Sequence, residues 1–236
     1  MCIVAGVNLN KFNSAPDEAV GRGERTRQLV VETALRLFRE RGYDRTTMRA
    51  VAAEAGLSPG NAYYYFPSKQ HLVQHFYADI QAEHRRRSTA ALSAGTSLAR
   101  RLGGVLHAGF DTMAPYHDFA ASFIKVAIDP GSPLSPFSAE SADSRAQSIA
   151  LFGEVLRGST TSVDDRLRDE LPELLWLAYL GLTLFWVYDS SPGQTRTGQL
   201  IDAAVPLLVR LLKLTRVPVL RGPTTDLIGL VRLVRP

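Results

Sequence analysis

An all-α, two-domain fold is predicted from three observations. Alanine, leucine and arginine, all good helix formers, are abundant. No stretch sustains the apolar–polar alternation of a half-buried strand. Apolar residues instead recur at helical spacing in segments closed by Gly, Pro, Ser or Asp. With 236 residues, 45% of them hydrophobic, the chain can bury one sizeable core or two smaller ones.

Residues 1–21 read as a disordered tail, without the basic region and long apolar stretch of a secretory signal. The only cysteine, Cys2, lies there, which leaves no intrachain disulfide and suits a reducing cytoplasm. A helix is predicted over Arg27–Arg41, with Leu29, Val30, Ala34, Leu37 and Phe38 at helical spacing and Gly42-Tyr43 at its end. Thr46 and Thr47 are N-cap types, and Met48, Val51, Ala52 and Ala55 continue as a short helix. Gly56 makes a sharp turn, and Leu57 plugs the angle between this helix and the next. Ser58 followed by Pro59 is a cap and a first-turn proline, so another helix starts there. That segment, SPGNAYYYF, carries three consecutive tyrosines that cannot all face inward. Phe66-Pro67 ends it, Ser68 caps the next helix, and Lys69 stands in its first turn. A cation there opposes the helix dipole, which points to an external anion.

The long helix from Ser68 to about Ala94 has Leu72, Val73, Phe76, Ile80 and Leu92 on its apolar side and can link two domains. Further helices are predicted over Leu98–Met113, Tyr116–Ile128 and Glu140–Leu156, with a proline-rich loop at 129–137. A short helix at Asp164–Leu171 precedes two very apolar ones, Pro172–Tyr188 and Gln199–Leu214, the latter kinked at Pro206. Val217–Pro223 reads as a connector, and Thr225 as the cap of a last short helix reaching Val234. The longest uncharged run, Leu174–Tyr188, has fifteen residues, short of the roughly 20 a membrane span needs. It is read as a core or interface helix of a protein with no membrane role.

Charge adds a direction. Between Arg22 and Lys69 nine Lys or Arg face five acids, which accounts for the whole net charge of +4. Arg22, Arg25 and Arg27 read either as an arm for phosphate or minor groove or as a solvated cluster, and the charged run Glu83–Arg87 as solvated. Phe38, Val51, Leu57 and Phe66 are core. His71 and His75 have metal-ligand spacing, but no third ligand is evident, so no metal or cofactor is expected. No serine-nucleophile motif, paired catalytic carboxylates or phosphate-cradling glycine loop is present, and an enzyme is not expected.

The stretch from Thr46 to Lys69, with the preceding helix, closely resembles the DNA-binding signature of the TetR (tetracycline-repressor-like) family of bacterial regulators. It covers roughly the first third of the chain. The resemblance implies domain limits of 22–70 for a helix-turn-helix head and 71–236 for a helical ligand-binding and dimerisation domain. Laid on the family pattern, Tyr63 and Lys69 match phosphate contacts and Tyr65 a neighbouring backbone contact. Asn61 and Tyr64 fall where side chains enter the major groove, as an adenine reader and a hydroxyl or thymine-methyl contact. Tyr64 departs from the histidine or tryptophan usual there. Arg49 is placed to reach a guanine, Thr47 and Ser58 add backbone contacts beside capping, and Gly60 allows close approach.

Two apolar helices near the end exceed what one core needs, which suits a two-fold dimer, and the resemblance implies a four-helix interface. The candidates are Leu182, Trp186, Leu200, Val205, Leu208 and Leu212. The expected effector is small and mostly apolar, in a cavity lined by Phe110, Met113, Phe119, Phe123, Trp176 and Tyr179, with His117, Asp118 or Lys125 supplying polar contacts. The expected function is a cytoplasmic, homodimeric, ligand-responsive repressor on a palindromic double-stranded DNA operator. Two alternatives stay open: a regulator whose second domain has no effector pocket, and a helical carrier of apolar ligands.

Overall fold

The computed structural model describes residues 21–214, all of whose regular structure is helical. The expectations for the N-terminal tail with Cys2, and for the connector and last helix after Thr215, fall outside these residues. Ten α-helices follow in order: α1 Arg22–Arg41, α2 Met48–Glu54, α3 Pro59–Tyr65, α4 Lys69–Ser93, α5 Leu98–Met113, α6 His117–Ala127, α7 Ala142–Arg157, α8 Asp165–Arg168, α9 Leu171–Val187 and α10 Thr195–Leu214. They form two compact units, one ending at Phe76 and one beginning at Tyr77, so the division falls inside α4.

In the first unit α1 starts five residues before the predicted Arg27. The extra turn is polar, so periodicity does not reveal it; Thr26 Oγ1 donates to Arg22 O (2.9 Å) and Glu24 sits favourably in the first turn. Val30, Val31, Ala34, Leu35, Leu37 and Phe38 bury one face of α1, whereas Leu29 stays 43% exposed. Thr47 caps α2, its hydroxyl accepting from Ala50 N (3.2 Å). Thr46 serves differently, buried and donating to Gly42 O at 2.9 Å. Gly56 closes α2 with φ +68°, its N–H donating to Ala53 O (3.2 Å) while Leu57 N–H reaches Ala52 O (2.9 Å). This paired closure needs a left-handed residue, hence glycine.

In the second unit Leu102, Val105, Leu106 and Phe110 of α5 pack with Phe152 and Val155 of α7, Trp176 and Tyr179 of α9, and Ile201 and Val205 of α10. Arg101 is buried among them. Its guanidinium donates to Val155 O (3.0 Å), Glu154 O (2.7 Å), Gly95 O (3.3 Å) and Leu92 O, gathering carbonyls from the C-terminal ends of α4 and α7. A Cβ on Gly158 would overlap that guanidinium. The run at 83–87 is not simply solvated. Glu83 is 8% exposed and accepts from Arg86 and Arg87 at 2.6 Å. Hydrogen bonds from Arg86 outweigh burial and hold the Glu83 carboxyl down at about 2.

Helix α10 begins four residues before the predicted Gln199 because its cap comes from outside the helix. Buried Asp189 accepts from Thr197 N (2.8 Å) and Thr197 Oγ1 (2.7 Å), and its other oxygen takes Ser191 N and Oγ. Burial alone would raise the Asp189 carboxyl, but these hydrogen bonds win and hold it well below the usual range. The helix runs as one element through Pro206. No helix among the described residues is long and apolar enough to cross a membrane.

Candidate nucleic-acid interface

Helix α3 is seven residues long and buries only Ala62 within its span. Ser58 Oγ accepts from Asn61 N (3.2 Å), Pro59 opens the first turn, and buried Phe66 closes the last by donating its N–H to Ala62 O (3.0 Å). A helix this short is marginal alone, so these caps and the anchors on either side fix its direction. Apart from Tyr65, the remaining side chains are exposed. Tyr64 is 81% exposed and Tyr63 43%, and Asn61, Gly60 and Ser58 are also exposed. Thr47 and Arg49, at the start of α2, are exposed too, and Arg49 makes no ion pair among the described residues.

Tyr65 differs from its two neighbours. It is half-buried, its hydroxyl lies beside Gly23 in the first turn of α1, and its ring meets Tyr64 edge-on at 5.2 Å. Arg27 is stacked 5.4 Å over Phe66 rather than extended as an arm, while Arg22 and Arg25 lie exposed on α1. Arg36 and Arg41 are tied to Glu54 at 2.7 and 3.9 Å, pinning α1 to α2.

Lys69 is half-buried. Its ammonium donates to Tyr43 O (2.7 Å), Thr46 O (3.3 Å) and Asp44 O (3.5 Å), and lies 4.0 Å over the Tyr43 ring. All three donors are therefore engaged on the turn between α1 and α2, and an external phosphate would have to displace a carbonyl. Burial lowers the Lys69 pKa, with Asp44 opposing. The unfavourable dipole position thus has an internal explanation that spacing alone does not reveal.

His71 Nδ1 pairs with Ser68 Oγ (2.8 Å), and the His75 ring packs on Phe66 at 5.5 Å. Among the described residues no three His, Cys, Asp or Glu are grouped to hold a metal ion.

The second-unit candidates divide. Trp186, Val205 and Leu212, expected at a dimer interface, are 3%, 5% and 6% exposed and pack within their own core. Leu182 and Leu208 are half-buried against the same core, and Leu200 is exposed. The outward apolar positions are instead Leu200, Leu207, Leu211 and Leu214 on α10, with Leu184, Phe185 and Tyr188 at the end of α9. Helix α10 is apolar on both faces, so periodicity alone could not say which face turns inward.

Of the expected effector contacts, Phe110, Met113 and Tyr179 come together: Phe110 and Tyr179 rings are 5.5 Å apart, and the Tyr179 hydroxyl reaches Met113 Sδ at 3.9 Å. Phe119 and Phe123 pair with each other at 5.3 Å, and Trp176 meets Phe137 edge-on. His117 Nε2 bonds Trp186 O at 2.8 Å. Asp118 and Lys125, expected to supply polar contacts, are exposed. A small cleft lies elsewhere, among Leu98, Leu156, Thr161, Val163 and Leu171, and none of these nine residues lines it.

Residues 30–76 match the family model of bacterial regulatory proteins of the tetR family, and residues 101–227 that of the tetracyclin repressor-like C-terminal domain. The regulator BetI of Agrobacterium fabrum is 31% identical over 93 residues, 39% of this chain and 45% of that protein. The repressor KstR2 of Mycolicibacterium smegmatis is 30% identical over 103 residues, 44% of this chain and 50% of that protein. An uncharacterized helix-turn-helix regulator of Mycobacterium bovis is 42% identical over 66 residues, 27% of this chain and 31% of that protein. The chain thus spans half or less of each of these relatives. Among solved structures, FadR of Bacillus halodurans superposes with a TM-score of 0.62 at 16% identity, covering 78% of this chain and 94% of that one. FadR of Thermus thermophilus, in complex with lauroyl-CoA, gives 0.55 at 21% identity, covering 76% and 93%. These likenesses show a shared fold. With one family model covering more than half of the chain and a second covering its helix-turn-helix, the protein belongs to the TetR family of bacterial regulatory proteins.

Proposed function

We propose that this protein is a homodimeric transcriptional repressor of the bacterial cytoplasm, which reads a palindromic operator through α3 and is released by a small, mostly apolar effector. The observation that carries the reading is the exposure of Tyr63, Tyr64 and Asn61 on a helix whose ends are locked. Such a helix gains no stability from exposing phenols, whereas a major groove offers them base edges and phosphates. Asn61 and Tyr64 read bases, with Arg49 on guanine and Gly60 allowing close approach. Tyr63, Tyr65, Thr47 and Ser58 hold the backbone. Lys69 keeps the α1–α2 turn in place and contributes charge near a phosphate.

One short helix reads too few bases for specificity, so a second copy is needed. The outward row Leu200, Leu207, Leu211 and Leu214 supplies a face for it, spaced so that one side of α10 is continuously apolar. A second reading, a regulator without an effector pocket, is favoured by the close packing of the aromatic residues in the second unit.

Selection of the purified protein against random duplex DNA at near-physiological salt tests the main reading. Enrichment of an inverted repeat is expected, and a folded dimer that enriches nothing refutes it. On the selected operator, Tyr63→Ala should weaken binding to all sequences alike and leave the salt slope unchanged, since a neutral phenol releases no counterion, whereas Asn61→Ala should relax preference at one base pair by about 1–3 kcal/mol.

A further inference from the structure

Two hydroxyls in the second unit are buried without a good acceptor. Ser88 on α4 has no exposure, and its Oγ finds no hydrogen-bond partner. Tyr179 on α9 is 6% exposed, and its hydroxyl meets only the thioether of Met113, at 3.9 Å. Folded proteins rarely leave buried hydroxyls unpaired, because desolvation is then uncompensated.

The helices that carry them meet at one place. His84 stands one helical turn before Ser88 on the same face of α4, and its ring is 5.6 Å from that of Tyr179. Both rings converge on Gly109 of α5. A Cβ there would lie 2.7 Å from Tyr179 Oη and 3.0 Å from His84 Cε1 and Nε2. Phe110 and Phe152, 5.5 and 5.9 Å from the Tyr179 ring, wall the junction. Met113, one turn after Gly109, is half-buried, so a flexible side chain covers the Tyr179 hydroxyl from the surface side.

We propose that the α4–α5–α9 junction at Gly109 binds a neutral, largely apolar molecule carrying one oxygen acceptor, such as a ketone, ester or lactone. Tyr179 is its main donor, Ser88 its second, and Met113 the side chain that yields to admit it. The proposal rests on the effector reading above and specifies the chemistry of that site. Two unpaired donors call for an acceptor oxygen rather than another donor. An anion is disfavoured because the Arg101 guanidinium on α5 is engaged by four carbonyls and His84 Nε2 already donates to Val105 O (2.8 Å). Burial also lowers the His84 pKa, with that hydrogen bond opposing, so the ring offers little positive charge at neutral pH.

Calorimetric titration of the full chain with acetophenone, ethylbenzene and benzoate tests this, since the three share a ring and differ in the end group. Acetophenone should bind at least about tenfold more tightly than either other probe. Tyr179→Phe, which keeps the ring, should cost acetophenone about tenfold, leave ethylbenzene unaffected, and preserve or raise the melting temperature. Ser88→Ala should give a smaller loss in the same sense, and it serves if Tyr179→Phe does not fold. The proposal is overturned if no probe binds, if ethylbenzene matches acetophenone, or if both variants bind acetophenone like the parent. If benzoate binds best, shifts operator affinity and ignores both substitutions, this site is wrong while the effector reading survives. If acetophenone binds as described and leaves operator affinity unchanged, the site stands and the effector reading falls.

Discussion

Helices α3 and α9 use aromatic residues in opposite ways. The first is seven residues long, buries Ala62 alone and turns Tyr63 and Tyr64 outward; the second is seventeen long and buries Trp176, Tyr179 and Trp186. In α3 the ends dictate the geometry: Ser58, Pro59 and Phe66 fix the axis, so what the middle exposes can be read from spacing. In α9 neighbouring helices decide, because residues are apolar around the whole circumference and α5, α7 and α10 select which side they cover. Exposure in the first unit is therefore a statement about a partner, and burial in the second is a statement about packing.

The sharpest break of that contrast is Arg101→Met. It removes the donors from four carbonyls in a packed region and should destabilise the second unit by about 3 kcal/mol or more, while the first unit, whose elements are locally capped, keeps its helicity. Calorimetry resolving two transitions would check this, and a single shifted transition would show that the units melt together. Next comes the double substitution Leu207→Glu and Leu211→Glu on the outward face of α10. The protomer should stay folded and sediment as a monomer, whereas Val205→Glu, two residues before Leu207 on the opposite face and 5% exposed, should unfold it.

Those paired outcomes bear on what could be read in advance. The elements α2, α3 and α5 were legible because caps, Gly56, Pro59 and amphipathic spacing agree. The early start of α1 was not, since its first turn is polar, nor was that of α10, whose cap comes from Asp189, eight residues before Thr197. The exposed face of α3 is visible in its run of adjacent tyrosines, of which Tyr63 and Tyr64 turn outward. Leu, Val and Trp line both sides of α9 and α10, and only the fold chooses which of the dimer candidates turn inward. From spacing Lys69 points to an external anion, and no spacing rule reveals the carbonyls more than twenty residues earlier in sequence that its amine also meets.

A smaller effect sharpens the capping side of the comparison. Ser58→Ala removes the acceptor for Asn61 N and should cost about 1 kcal/mol of stability in the first unit, read from denaturant midpoints. The smallest is a drift with acidity. Glu83, held at about 2, is lowered in the folded protein, so its contribution is complete above its unfolded value of 4.5 and fades as pH falls from there towards about 2. Asp189 is lowered too and adds to the same acid-side loss. Melting temperatures should fall across that window, and Glu83→Gln should flatten the fall.

The chain holds four lysines against many arginines, and among the described ones Lys69 is the one whose amine is engaged by three carbonyls and an aromatic face. Acylating reagents need the lone pair of a free amine, so Lys69 reacts only in molecules whose turn between α1 and α2 has momentarily let go. Its labelling rate is then a clock for the opening of that turn, recorded as a mass increment at a single residue.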